Sequence, residues 1–177
     1  NLEQACSVLA AGGVIVYPTE TLWGIGGDAR SSAAAARVLA AKRIHSPRPF
    51  PVLADSVDRA LAVAEPVEGL AELAAGFWPG SVTAVVPVRD SDLARAAGQE
   101  GKVGLRVCSI PEVGRLAANC GGFLLSTSAN RTGEPPPQSA GEVNPELLAH
   151  TDGLLEWSGD CGGLPSTVVA WEQSGWT

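Results

Sequence analysis

Six short polar clusters carry the side chains with which this chain could do chemistry. Tyr17-Pro18-Thr19-Glu20-Thr21-Leu22-Trp23-Gly24 sets two hydroxyls and a carboxylate after an apolar run. A plain turn accounts for the proline and the glycine, but Thr-Glu-Thr suits a small polar ligand. Lys42, Arg43 and Arg48 fall within seven positions, with His45 among them and Pro47 and Pro49 stiffening the segment. Cations on a loop of preset shape can hold phosphates; the alternative is a solvated helix end whose charges suit the dipole. Arg106 lies inside the apolar run Val103-Gly104-Leu105-Arg106-Val107. Burying it is costly unless an anion meets it, and the alternative is an outward-facing, solvated Arg106. Ser126-Thr127-Ser128-Ala129-Asn130, followed by Gly133-Glu134-Pro135-Pro136-Pro137, offers hydroxyls and an amide that can approach a nucleotide closely. Gly162-Gly163-Leu164-Pro165-Ser166-Thr167 again sets hydroxyls at the entrance to an apolar run, whereas Trp78-Pro79-Gly80 reads as a packing turn rather than a site.

The elements that must position these clusters follow from periodicity. Leu2, Cys6 and Leu9 recur at helical spacing until Gly12-Gly13. Val14 to Tyr17 reads as a buried strand ended by Pro18. Residues 19–28 read as a Gly-rich loop, and Ser31 as the N-cap of an Ala-rich helix reaching about Lys42. Further strands are expected over 51–54, 81–88, 102–108, 123–126, 153–156 and 167–171, with helices over 57–64, 67–77 and 112–119. Strands mixed with helices throughout imply an α/β sheet covered by helices, with ligands gathered where strands give way to loops.

Composition narrows the function classes. Hydrophobic residues make up 45% and charged residues 18%, a globular balance. No apolar run is long enough to span a bilayer and no signal peptide opens the chain, so a cytoplasmic protein without a membrane partner is expected. The net charge of −7 opposes general attraction to nucleic acid, while the local basic cluster suits a small anion in a cleft. Cys6, Cys108, Cys120 and Cys161 are scattered and only His45 and His150 accompany them, so reduced, mostly buried thiols are expected and no metal cage. A Walker phosphate loop and a Rossmann glycine fingerprint are both missing, and no Ser-His-Asp or paired-carboxylate pattern stands out. No methionine occurs, and Ser174-Gly175-Trp176-Thr177 is an abrupt close, so both ends are expected to be truncated.

Taken together and in order, the motifs resemble the YrdC-like family, specifically the threonylcarbamoyl-AMP synthases, over nearly the whole chain. They are Tyr17-Pro18-Thr19-Glu20-Thr21-Leu22-Trp23-Gly24, Lys42 with Pro49-Phe50, Trp78-Pro79-Gly80-Ser81-Val82-Thr83, Gly104-Leu105-Arg106-Val107, Ser126–Asn130 with Gly133-Glu134-Pro135, and Gly163–Val169. The resemblance implies one YrdC-like domain over residues 1–177: a twisted mixed sheet with flanking helices around a deep basic cavity. It implies synthesis of L-threonylcarbamoyladenylate and pyrophosphate from L-threonine, bicarbonate or CO2, and ATP accompanied by Mg2+. The product would pass to proteins that modify adenosine in transfer RNA.

By the same resemblance, Thr21, Arg106, Ser126 and Ser166 would contact threonine, Arg106 through its carboxylate. Lys42, Arg43, Arg48, Lys102, Ser128, Asn130 and Pro136 would surround ATP, and no protein nucleophile or metal ligand is expected. Three positions depart from the family pattern. Ile44 stands where a Lys-x-Arg motif has its arginine, which Arg43 or Arg48 would replace; Leu53 stands where some relatives have histidine; and a later Leu-Arg-x-Gly segment is expected beyond Thr177. Two other functions are compatible with the family: formation of carbamoyl-adenylate, and RNA binding or ribosome maturation.

Overall fold

The computed structural model describes residues 1–173 and 175–177. The helical spacing at the start gives α1 (Leu2–Ala10), which buries Ala5, Cys6 and Leu9, and the Asn1 side chain accepts from the Gln4 N–H at its N-terminus. β1 (Ile15–Tyr17) follows with every residue buried. Residues 19–28 are not wholly a loop, because β2 (Gly24–Gly26) runs back antiparallel to β1 with Tyr17 opposite Gly24. The glycines that suggested a loop are what this strand needs. A Cβ on Gly26 would lie 1.6 Å from the backbone oxygen of Leu125, so only glycine permits that approach.

α2 (Ser32–Ala41) starts where expected, the Ser31 hydroxyl accepting from the Ala34 N–H at 3.1 Å. β3 (Val52–Ala54) and α3 (Val57–Val63) match their apolar runs. α4 (Leu70–Phe77) begins later than its periodicity suggested, since Gly69 takes a left-handed conformation (φ 78°) in front of it. Next come β4 (Val82–Pro87) and a helix that the apolar pattern did not reveal, α5 (Ser91–Ala97). It spans under two turns and buries only Leu93 and Ala97, and its signature is the Asp90 cap, which accepts from Asp92 and Leu93 N–H. β5 (Lys102–Arg106) ends at the arginine, two residues earlier than read from the sequence.

The remaining elements are α6 (Pro111–Asn119), β6 (Phe123–Leu125), β7 (Thr127–Ser128), a 3-10 helix (Ala140–Glu142), α7 (Pro145–Leu148), β8 (Gly153–Leu154), β9 (Thr167–Glu172) and β10 (Gly175–Trp176). Among the described residues the strands form two mixed sheets, ordered β7-β2-β1-β8 and β10-β9-β4-β5-β3-β6. Within the second, β5 is parallel to β3, with Leu53 opposite Arg106, and antiparallel to β4; β9 is parallel to β4. One apolar cluster includes Trp23, Val38, Leu105 and Phe123; the other, beneath α1 and α6, includes Leu9, Tyr17, Leu116 and Leu124. Cys6, Cys108 and Cys120 are buried and Cys161 half-buried, all as free thiols.

Candidate active site

Both sheets contribute to a cavity of about 170 Å³. The turn after β1 supplies Thr19 and Thr21, β3 supplies Leu53, β5 ends in it with Arg106, and Ser126, Ser128 and Ser166 complete the polar lining. Thr19 builds its own turn. Its hydroxyl accepts from the N–H of Thr21 (3.2 Å) and Leu22 (3.1 Å) and donates to the Leu22 carbonyl at 2.7 Å. That leaves the Thr21 hydroxyl, 2.8 Å from that of Thr19, turned to the cavity.

Arg106 is 5% exposed, which overturns the outward-facing alternative. Its Nη1 and Nη2 both donate to the Thr21 hydroxyl at 3.2 Å, and Nε donates to the Gly80 carbonyl at 3.0 Å. Nη2 also lies 2.8 Å from Glu20 Oε1. A buried guanidinium is tolerable because a carboxylate and two neutral acceptors surround it. The Trp78-Pro79-Gly80 turn is therefore more than packing: the Trp78 indole donates to the Val82 carbonyl at 2.7 Å, and Gly80 anchors the arginine. Burial would raise the Glu20 carboxyl, but the Arg106 charge and the bonds from Cys108 and Arg106 outweigh it and hold Glu20 below the usual carboxylate range. The Cys108 thiol, which donates to Glu20 Oε2 at 2.7 Å, is pushed up to about 12 by burial and then by that neighbouring charge.

The segment bearing Ser166 is tied to the turn after β1 through backbone groups. The N–H groups of Gly162 and Gly163 donate to the carbonyls of Glu20 and Thr21, both at 2.9 Å. The Thr83 hydroxyl then donates to Ser166 Oγ at 2.9 Å.

The cations expected around a nucleotide divide into three groups. Lys42 is buried, and its ammonium donates to the carbonyls of Ser128 and Asn130, the latter at 2.6 Å. It clamps the Ser126–Asn130 segment from behind instead of lining the cavity. Burial, reinforced by the Arg48 charge and opposed by Glu134, pushes it down to about 8. Asn130 donates from Nδ2 to the carbonyls of Arg131 (3.2 Å) and Glu134 (2.7 Å), while its Oδ1 is buried without a protein partner.

Lys102 borders a neighbouring cleft of about 380 Å³ that shares Pro51 with the cavity, and it donates to the Trp171 carbonyl at 2.9 Å. Lys102, Gly104 and Arg106 occupy alternate positions of β5 and so share a face of the sheet. At Gly104 that face carries no side chain, and Thr83, Val85 and Val168 complete the cleft floor.

Arg48 opens on a different groove, of about 500 Å³, beside Arg95. Arg43, at φ 56°, turns away after α2 to pair with Glu146 at 2.9 Å. Pro136 is exposed, next to Pro137, whose carbonyl accepts from the Trp23 N–H. Thr21, Arg106, Ser126, Ser128 and Ser166 thus surround one cavity, with Lys42 and Asn130 behind it and Lys102 beside it. Arg43, Arg48 and Pro136 lie apart. Sequence reasoning gave Glu20 only as a carboxylate within Thr-Glu-Thr, with no pairing to Arg106, and read Gly80 and Thr83, within the Trp78–Thr83 motif, as packing. Both histidines are exposed and neither lines the cavity.

Comparison with known proteins identifies the family and the fold. The Sua5/YciO/YrdC family model, described as telomere recombination, matches residues 7–177. A threonylcarbamoyl-AMP synthase of Xanthomonas euvesicatoria pv. vesicatoria is 38% identical over 169 residues, covering 93% of this chain and 88% of that protein. One from Xanthomonas campestris pv. campestris is 39% identical over 171 residues, with the same coverage. The structure of P. abyssi Sua5 complexed with L-threonine superposes with a TM-score of 0.85 at 26% identity over 96% of this chain; the chain spans about half the length of that protein, 50%. E. coli YciO shares the fold, with a TM-score of 0.86 at 22% identity, over 99% of this chain and 86% of its own.

Proposed function

The chain belongs to the Sua5/YciO/YrdC family, and on that premise we propose that it is a threonylcarbamoyl-AMP synthase. It forms L-threonylcarbamoyladenylate and pyrophosphate from L-threonine, bicarbonate or CO2, and ATP. The observation that carries this reading is the buried Arg106, whose Nη1/Nη2 edge is directed, through Thr21, at a cavity lined by hydroxyls. A planar fork of N–H donors suits a carboxylate, and Thr21, Ser126 and Ser166 supply partners for the rest of a small hydroxy amino acid.

The threonine ammonium gives up a proton to solvent, and the free amine adds to CO2, losing a second proton to solvent as the carbamate forms. A carbamate oxygen then attacks the α-phosphorus of ATP as the bond to the β-phosphate oxygen breaks and pyrophosphate leaves. No protein nucleophile takes part. The chain supplies alignment and charge screening for two anionic reactants, and a closed pocket slows loss of the carbamate to water. The nucleotide is assigned to the cleft floored by Gly104 and flanked by Lys102, next to the segment bearing Ser128 and Asn130. Mg2+ is assigned to the triphosphate: no three His, Cys, Asp or Glu among the described residues gather to cage an ion.

The product is passed to tRNA-modifying proteins, and the cytoplasm is where ATP and tRNA meet; no helix among the described residues is long and apolar enough to cross a membrane. Pyrophosphate release in the presence of threonine, bicarbonate and ATP tests the assignment. The rate is expected to collapse when threonine is omitted, and a rate indifferent to threonine refutes the proposed substrate.

A further inference from the structure

Resting on the reading of the cavity as the threonine pocket, we propose that Glu20 is a positioning residue for threonine binding. It fixes the Arg106 guanidinium, and the Cys108 thiol steadies Glu20 in turn. The guanidinium is held along two edges. Nε and Nη2 meet the Gly80 carbonyl at 3.0 Å and Glu20 Oε1 at 2.8 Å, while Nη1 and Nη2 together face the Thr21 hydroxyl on the cavity side. The first edge anchors the group, and the second is the one presented to a ligand.

Glu20 acts from behind. Its Oε1 has essentially no exposed surface, and its charge is met by Nη2 at 2.8 Å. Its Oε2 accepts from Cys108 Sγ at 2.7 Å. Cys108 is itself 8% exposed and follows β5 by two residues, so the carboxylate is clasped between the turn after β1 and the exit of β5. Because Glu20 is not among the residues that line the cavity, it is not placed to take a proton from the substrate. Its lowered carboxyl agrees with a fixed anion rather than a base.

The sign of the effect separates this role from simple electrostatics. Removing an anion beside Arg106 leaves the pocket more positive, which by charge alone tightens binding of a carboxylate. Loss of an anchor does the opposite, because the unheld guanidinium must be ordered on binding. The Glu20 carbonyl, which accepts from the Gly162 N–H, is untouched by a side-chain substitution, so the segment bearing Ser166 keeps its tie.

Titration calorimetry of L-threonine on the whole chain decides between these signs, with ATP titrated into the same samples. Glu20→Gln is expected to weaken threonine binding about tenfold or more, the loss of a charge-assisted bond, with ATP affinity unchanged. Cys108→Ser, which keeps a donor, should bind threonine like the unaltered chain, and Cys108→Ala should bind it roughly threefold more weakly. Threonine binding by Glu20→Gln that is equal or tighter overturns the proposal, and so does an equal loss of threonine and ATP affinity, which marks a merely structural role. If Glu20→Gln does not fold, the two Cys108 variants decide, and identical affinities overturn it. Absence of threonine binding by the unaltered chain would instead refute the pocket assignment on which the proposal rests.

Discussion

Replacing Arg106 with alanine removes the one charged side chain that, among the described residues, lines the cavity. The guanidinium is 5% exposed and has four N–H contacts within the protein, so its loss empties a desolvated position rather than a solvated one. Truncating one member of a buried, hydrogen-bonded charge pair costs about 2 to 5 kcal/mol. At 1.4 kcal/mol per tenfold, threonine affinity should fall by roughly 30-fold to more than a thousandfold. Arg106→Lys keeps the charge but not the fork and should lie between the two.

A second effect follows from Glu20. In the unaltered chain its carboxyl is lowered in the folded state, so it contributes stability above its ordinary range, near 4.5, that is lost as pH falls through the folded value. Without Arg106 the burial that opposes ionisation is unbalanced, the folded value rises, and that contribution disappears at neutral pH. Calorimetric titration with threonine and thermal melts at pH 4 and pH 7 read both effects. Unchanged threonine affinity in Arg106→Ala refutes the role assigned to the guanidinium. A melting temperature whose pH dependence matches the unaltered chain refutes the coupling to Glu20.

Gly26→Ala should destabilise the fold severely, since its Cβ would meet the Leu125 backbone oxygen at 1.6 Å and backbone cannot step aside; denaturant melts check this, and a loss under about 1 kcal/mol would sink it. Lys42, lowered in the folded state to about 8, should make the protein gain stability as pH rises from 8 towards 10.5, where the unfolded chain still binds the proton. Urea midpoints across that window should show an upward contribution that Lys42→Met lacks; identical slopes would contradict it. Gly104→Val puts methyl groups into the cleft floor, with a Cβ already 3.1 Å from Thr83 Cγ2, and should weaken ATP binding about tenfold while sparing threonine. Nucleotide titration reads this, and equal loss of both ligands would argue against the cleft.

The apolar runs and caps were legible because they are local. Ser31 caps α2 through a bond three positions along the chain, and the apolar run Val52–Ala54 marks a buried strand although its partners in β5 and β6 are distant. The cluster around the cavity was also legible, since Arg106 in an apolar strand announces a buried charge in need of partners. The surroundings of the basic cluster were less so. Lys42 finds its acceptors in the backbone carbonyls of Ser128 and Asn130, 86 and 88 positions away, and carbonyls carry no residue-type signature. Arg43 and Arg48 are near Lys42 along the chain, yet the positive φ at Arg43 and the loop after it direct them to other surfaces. β2 was hidden for a related reason: Gly26 answers to the close passage of Leu125, a distant contact, whereas glycine in sequence reads as a turn.

The most direct measurement is a crystal structure with L-threonine and a non-hydrolysable ATP analogue bound together. The account predicts the threonine carboxylate on Nη1 and Nη2 of Arg106, the amine turned towards the α-phosphate, and the nucleotide over Gly104 beside Lys102 and Ser128. Threonine seated away from Arg106, or the two ligands in chambers that do not communicate, would contradict it.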